Sequence, residues 1–190
     1  MKMQIVLAAG LLVAVSGCGS NADDAPAAQD ATDVATPNNS MQTPTQAPAA
    51  ADAPQVFVEK MAASDMFEIQ AGELARDMGT SQKVKDFGAM MVTDHTASSA
   101  KLTTAAAAAQ PAITPAPKLS PDQEAKLEAL RAAGDGFDAL YAQQQVAAHE
   151  MALATLQAQA ASGTAPSLRE FAGTTAPVVE QHLSMARMLP

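Results

Sequence analysis

Three histidines, His95, His149 and His182, are the residues of this chain best suited to chemistry. Imidazole nitrogens bind zinc, copper, iron and nickel, and they also exchange protons near neutral pH. Each histidine falls in a different helical stretch, and the spacing of the apolar residues around it places it on the apolar face of that helix. Glu68 lies seven residues after Met61 in a fourth stretch, so it shares an apolar face as well. The pattern predicts four polar side chains that point into one core.

The four residues also lie at similar heights along their helices. Glu68 is about eleven residues before a turn predicted near residue 79, and His95 is about fifteen residues after it. His149 is about fourteen residues before a second predicted turn near residue 163, and His182 is about nineteen after it. At 1.5 Å per residue, each pair agrees in height to within roughly 6–8 Å. Helical bundles bind metals with inward polar residues from facing helices. We therefore predict that Glu68, His95, His149 and His182 bind one transition-metal ion: zinc, copper or iron.

Two other interpretations of these residues stay open. Three core histidines and a glutamate can satisfy one another by hydrogen bonds without any metal. Pro177 lies inside the last predicted helix, and by kinking or breaking it could rotate His182 away from the interior. Asp94 and Glu150, each next to a histidine in the sequence, either orient those rings or face solvent.

The composition indicates which elements position these side chains. The chain is rich in Ala, Gln and Met, which favour helices, and has one Tyr and no Trp. We predict an all-α fold with four long helices in two antiparallel hairpins, whose turns lie near residues 79 and 163. A long crossover, residues 109–134, joins the hairpins and carries a short extra helix, which is typical of a ferritin-like four-helix bundle. A simple up-down bundle, whose crossover stays at one end, is the alternative.

Several residues mark the predicted helix ends. Asp52 is placed to cap the first helix, and Gly79 to end it. Ser120 with Gln123 forms the sequence pattern of a capping box at the start of the short helix. Asp135 is predicted to open the third long helix.

The first 17 residues are typical of a secretion signal. Lys2 precedes an apolar run, residues 5–15, which is too short to cross a bilayer comfortably. The run ends in VSGC, residues 15–18, which resembles the lipobox of bacterial lipoproteins, where the cysteine receives a lipid and cleavage occurs just before it. We predict that Cys18, the only cysteine, is the lipid anchor. An ordinary signal peptide with a chance cysteine is the alternative.

Residues 18–54 contain mostly small and polar residues, so we predict a lipidated cysteine followed by a disordered tether. Residues 55–190 form the predicted folded domain. Gly19, where an Asp would favour the inner membrane, favours a periplasm-facing position at the outer membrane within the cell envelope. The formal charge of −9 argues against a nucleic-acid partner. The predicted partner is a membrane, through the lipid; the sequence specifies neither a protein partner nor an oligomeric state.

Four segments of the folded part carry a family resemblance: FVEKMAASDMFEIQAGELA (57–75), VKDFGAMMVTDH (84–95), GFDALYAQQQVAAHE (136–150) and LREFAGTTAPVVEQHLSMA (168–186). With them, residues 55–190 resemble an uncharacterised bacterial family of predicted outer-membrane or periplasmic proteins with a ferritin-like domain. The resemblance implies a ferritin-like four-helix fold and export, and it implies no agreed biochemical activity.

The residues oppose the di-iron chemistry that a ferritin-like fold suggests. Di-iron sites use Glu-x-x-His on two helices, whereas Val92 and Val179 stand three residues before His95 and His182. The chain also has no Ser/His/Asp set, phosphate-binding loop or CxxC motif. We predict a non-enzymatic binding or stress-related module of the cell envelope, with one metal ion in the core. A metal-dependent redox enzyme of ferritin-like type is the second hypothesis.

Overall fold

A computed structural model describes residues 50–190 of the chain. Five α-helices account for most of this range: α1 (Pro54–Met78), α2 (Gln82–Ala107), α3 (Pro121–Ala132), α4 (Phe137–Ser162) and α5 (Pro166–Ala186). A 3₁₀ turn, Gly134–Gly136, precedes α4, and residues 50–190 contain no β-strand. The predicted all-α class is therefore confirmed. The predicted signal peptide, Cys18 and most of the predicted tether lie outside the described residues.

The sequence marked two helix ends correctly and was wrong at the starts of α1 and α4. The Ser120–Gln123 capping box is present, and α1 ends at Met78 with Gly79 directly after it, as predicted. Asp52 does not cap α1, because Pro54 occupies the first helical position and leaves Ala53 as the residue directly before it. The Asp52 carboxylate instead pairs with Lys60 at 2.9 Å.

Helix α4 begins two residues later than predicted, at Phe137, because Asp135 lies within the 3₁₀ turn. Asp138, in the first turn of α4, accepts hydrogen bonds from the Thr80 backbone N–H (2.8 Å), the Thr80 hydroxyl (2.6 Å) and the Ser81 backbone N–H (2.7 Å). These bonds hold the start of α4 against the turn between α1 and α2. The connection from α2 to α4 must therefore return along the helices to the end where α2 began.

Helices α1 and α2 approach closely at two glycines. A Cβ atom on Gly72 would lie 2.7 Å from the carbonyl oxygen of Gly88, and a Cβ on Gly88 would lie 2.7 Å from that of Gly72. No side chain fits between the two backbones at this point. The crossing thereby fixes the register of α1 against α2, which sets where their polar residues meet.

Two separate apolar clusters form the core, with polar residues between them. One contains Phe57, Met61, Leu102, Leu156, Leu168 and Phe171, and the other contains Phe67, Val84, Phe87, Leu127, Phe137 and Tyr141. Asp65 in α1 and the histidine in each of α2, α4 and α5 fall between the members of the two clusters along the helix. The middle of the domain is therefore a polar layer enclosed by apolar packing.

Pro177 does not break α5, contrary to the expectation from its sequence. The helix continues from Pro166 to Ala186 with Pro177 inside, and His182 remains buried, 3% exposed. Packing of Phe171, Ala172 and Val179 in one apolar cluster holds α5 on both sides of the proline, which outweighs its local effect. Among the helices of residues 50–190, none has the length and hydropathy needed to span a bilayer.

Candidate metal centre

His95 from α2, His149 from α4 and His182 from α5 meet in the polar layer. One ring nitrogen of each lies within 4.8 Å of the corresponding nitrogens of the other two. The ring centroids are 5.6–5.8 Å apart, and the residues are 7%, 1% and 3% exposed. Three buried histidines in this arrangement could hold a metal ion.

Each imidazole uses one nitrogen for a hydrogen bond to an oxygen atom outside the cluster. His95 Nδ1 lies 2.8 Å from Asp65 Oδ1, and His182 Nε2 lies 3.0 Å from Asp94 Oδ2. His149 Nδ1 donates to the backbone carbonyl oxygen of its own helix, at Gln145, over 2.9 Å. Because carbonyl and carboxylate oxygens accept, these nitrogens carry the ring hydrogens.

The second nitrogen of each ring is buried and has no hydrogen-bond partner among residues 50–190. These atoms are His95 Nε2, His149 Nε2 and His182 Nδ1. In a neutral imidazole whose other nitrogen carries the hydrogen, each is a lone pair available to a metal. The partners around the cluster thus select the tautomer that metal binding requires.

The spacing of the nitrogens is slightly wider than that of an occupied site. Bonds of about 2.0–2.1 Å to zinc place two imidazole nitrogens about 3.3–3.6 Å apart. From separations of up to 4.8 Å, each nitrogen would have to move inward by less than about 1 Å. Small ring rotations are enough for such a movement, so the three histidines fit the ion.

Buried negative charge surrounds the histidines. Asp65 and Glu68 are each 1% exposed, and in residues 50–190 neither carboxylate forms an ion pair with a lysine or arginine. Glu68 accepts a 2.6 Å hydrogen bond from the Gln145 amide, and its other oxygen lies 3.9 Å from His149 Nδ1. Buried charges are usually paired or bound to metals. The region therefore favours a cation between the rings.

The environment shifts the pKa of each ring differently. Burial lowers the pKa of His149 and lowers that of His182 to about 4, despite the acidic groups nearby. Burial also opposes protonation of His95, but the hydrogen bond to Asp65 and the charges of Glu68, Asp65 and Asp94 outweigh it and raise the pKa. At neutral pH, His149 and His182 are therefore neutral ligands, and His95 is the ring on which a proton competes with a metal.

The structure brings together three of the four residues predicted to bind metal. Glu68 lies beside the cluster, on the hydrogen-bonded side of His149, and is not among the three residues whose ligand atoms converge. The sequence interpretation missed Asp65, which is four residues after Met61 and three before Glu68 and so shares their helix face.

Two acidic neighbours of the histidines have different environments. Asp94 does contact a ring, as the sequence suggested, but the ring is His182 and not the adjacent His95. Glu150 faces solvent and pairs with Arg187 at 2.8 Å. Of these two residues, only Asp94 therefore belongs to the surroundings of the candidate site.

Comparison with curated proteins and with solved structures gives no match. One protein family, described as a domain of unknown function (DUF4142), matches residues 39–189. The match includes all five helices and the three histidines, and it begins within the segment predicted as a tether. The resemblance to an uncharacterised family is confirmed at this level, whereas bacterial origin and export stay predictions. The chain belongs to the DUF4142 family, a domain of unknown function.

Proposed function

We propose that the helical domain binds one transition-metal ion, zinc, copper or iron, between His95, His149 and His182. One observation carries the proposal: each histidine directs one nitrogen to an outer acceptor, and its other nitrogen is buried without a hydrogen-bond partner in the described part of the chain. Imidazole ligands suit all three metals, and the hydrogen-bonded outer nitrogens give each ring a fixed orientation.

A proton is the competing occupant of the cluster. If His95 carries a proton on Nε2, that N–H can donate to only one neighbouring ring, so one nitrogen stays unpartnered. Each buried unpartnered polar atom costs roughly 1–3 kcal/mol. A metal ion binds all three lone pairs at once, and its charge offsets the buried carboxylates of Asp65 and Glu68. The metal therefore satisfies the site more completely than a proton does.

We further propose that the four long helices form a ferritin-like bundle. The contacts between Asp138 and the α1–α2 turn support this arrangement, because the long connection before α4 then crosses the length of the bundle. The site differs from a di-iron centre, since Val92 and Val179 stand where Glu-x-x-His motifs would supply carboxylates. A single ion bound by imidazole rings is consistent with these residues, since it does not need the missing carboxylates.

The proposed role is that of a metal-binding or stress-related module of the cell envelope, tethered to a membrane through Cys18 and facing the periplasm. The signal-like residues 1–17 and the lipobox-like VSGC sequence support the location. A redox enzyme acting on an organic substrate is the weaker candidate. The cavity that reaches His95 and His182 has a volume of about 30 Å³, far below the size of ordinary substrate pockets.

Metal analysis of the full-length chain, purified without a histidine tag, tests the proposed function. We expect about one ion per chain, which His149→Ala should lose while the helical circular-dichroism spectrum is kept. Gln181→Ala, an exposed neighbour of His182, is the matched control and should keep the metal. Metal-free protein whose melting temperature does not change on adding zinc, copper or iron would rule the proposal out, because binding to the folded state must raise stability.

A further inference from the structure

A small cavity beside the histidine cluster is lined by residues of α1, α2, α4 and α5. Its volume is about 30 Å³, and its lining includes two of the three histidines, His95 and His182. Asp94, whose side chain is 40% exposed, and Val178, which is 42% exposed, line the same cavity. The cavity therefore reaches from solvent to the buried rings.

We propose that this cavity is the access site for a hydrated divalent transition-metal cation, with Asp94 as the carboxylate that receives it and His182 as the ring that opens to admit it. The proposal rests on the proposed function, since it concerns how an ion reaches the three histidines. Two buried nitrogens that have no hydrogen-bond partner within residues 50–190, His95 Nε2 and His182 Nδ1, belong to rings that line the cavity.

The size of the cavity dictates how the cation travels. A volume of about 30 Å³ holds about two water molecules, so an ion with a complete hydration shell does not fit. The ion must exchange most of its water for protein oxygens at the mouth. Asp94, Ser98 and Ser64 line the cavity and carry such oxygens, and the negative charge of Asp94 raises the local cation concentration.

The Asp94–His182 pair is the most accessible of the pairs around the cluster. The side chain of Asp94 is 40% exposed, whereas those of Asp65 and Glu68 are 1% and 2% exposed. Water competes for the hydrogen bond at Asp94, which makes this bond the easiest to open. Pro177, five residues before His182, also removes a backbone donor from α5. The His182 ring is therefore the one most easily released.

The rate of metal loading tests this inference. The metal-free full-length chain is mixed with Zn²⁺ or Co²⁺ in a stopped-flow instrument, and free metal is followed with a chromophoric chelator. We expect Asp94→Asn to slow association about ten-fold or more, which is within the range of electrostatic steering. Glu180→Gln, which removes an exposed charge from α5 outside the cavity, is the matched control and should load at the rate of the unmodified chain.

Filling the cavity provides an independent variant. Ser98→Leu should slow metal loading while the final occupancy stays at about one ion per chain. If this variant does not fold, Ser64→Val on the facing helix serves the same purpose.

The access route would be overturned if the unmodified chain binds metal and the Asp94 and cavity variants load at the same rate; the metal site would then still stand. Faster metal release by Asp94→Asn, with unchanged association, would also overturn it, because Asp94 would then only position His182. An unmodified chain that binds no metal would overturn both proposals.

Discussion

His95 Nδ1 and Asp65 Oδ1 lie 2.8 Å apart, although the residues are 30 positions apart in the chain and both are buried. The bond joins α1 to α2 and keeps the His95 Nε2 lone pair directed away from the carboxylate. Asp65 therefore serves the candidate metal site without being a ligand.

Asp65→Asn should weaken metal binding by about 10–100-fold, the usual effect of changing the group that orients a metal-binding histidine. The substitution removes the negative charge but keeps a side chain of nearly the same size. Competition titration with a chelator measures the affinity. Asp77→Asn, an exposed change on the same helix, is the control and should have no effect. Equal affinities of the two variants would contradict the role of Asp65.

Glu68→Gln should weaken metal binding without lowering the stability of the metal-free protein. Without metal, it removes a buried carboxylate that has no lysine or arginine partner in residues 50–190, so the free energy of unfolding should stay equal or rise by about 1 kcal/mol. With metal, the lost negative charge should weaken binding. Urea unfolding with and without saturating metal measures both effects, with exposed Glu73→Gln as control. A fall in metal-free stability of several kcal/mol would contradict this account.

Gly88→Ala should destabilise the protein by about 1–3 kcal/mol, because the new Cβ would lie 2.7 Å from the Gly72 carbonyl oxygen and the Ala75 Cβ. Gly173→Ala in α5 is the matched control. A Cβ there meets no atom of the described residues within 4 Å, so alanine should stabilise the helix by about 0.5–1 kcal/mol. Thermal or urea unfolding gives both values, and equal effects at the two glycines would be inconsistent with the close crossing.

Asp138 should make stability depend on pH below about 4. Burial raises the pKa of its carboxyl, but hydrogen bonds from Thr80 and Ser81 outweigh this effect and hold the pKa below its ordinary value of 3.8. Because the unfolded chain then takes up the proton first, the stabilisation is complete above that value and is lost as the pH falls through the folded pKa.

The difference in unfolding free energy between the unmodified chain and Asp138→Asn measures this contribution. It should be constant from pH 7 to pH 5 and should shrink towards pH 3. Asp135→Asn, an exposed neighbour in the 3₁₀ turn, should give no such difference. A difference that grows as the pH falls would have the wrong sign for a lowered pKa.

Cys18→Ala should move the protein from the membrane fraction to the soluble fraction of the cell envelope. Acyl chains on this cysteine are the proposed attachment, and several chains are needed for lasting binding. Immunoblotting of fractionated cells shows the distribution, and Ser20→Ala, two residues away, is the control. A variant that stays with the membrane would count against lipidation at Cys18.

The sequence predicted the helices and the inward faces well, because both depend on local periodicity. Apolar spacing along each helix placed His95, His149 and His182 inside, and all three are buried. Helix boundaries were also correct where Ser120 and Gly79 supply specific local signals.

Contacts between helices could not be predicted in the same way. Heights along the helices agreed only to within roughly 6–8 Å, whereas a hydrogen bond requires about 3 Å. The pairing of Asp94 with His182 and of Asp138 with the α1–α2 turn depends on that finer register. The register in turn depends on close contacts such as Gly72 against Gly88, which leave no periodic pattern in the sequence.

X-ray absorption at the edge of the bound metal tests the central claim most directly, because it identifies the ligand atoms around the ion. The account predicts a nitrogen shell at about 2.0–2.1 Å with the multiple scattering of imidazole rings. A sulfur shell near 2.3 Å, or an oxygen-only shell without imidazole, would contradict a metal centre at His95, His149 and His182.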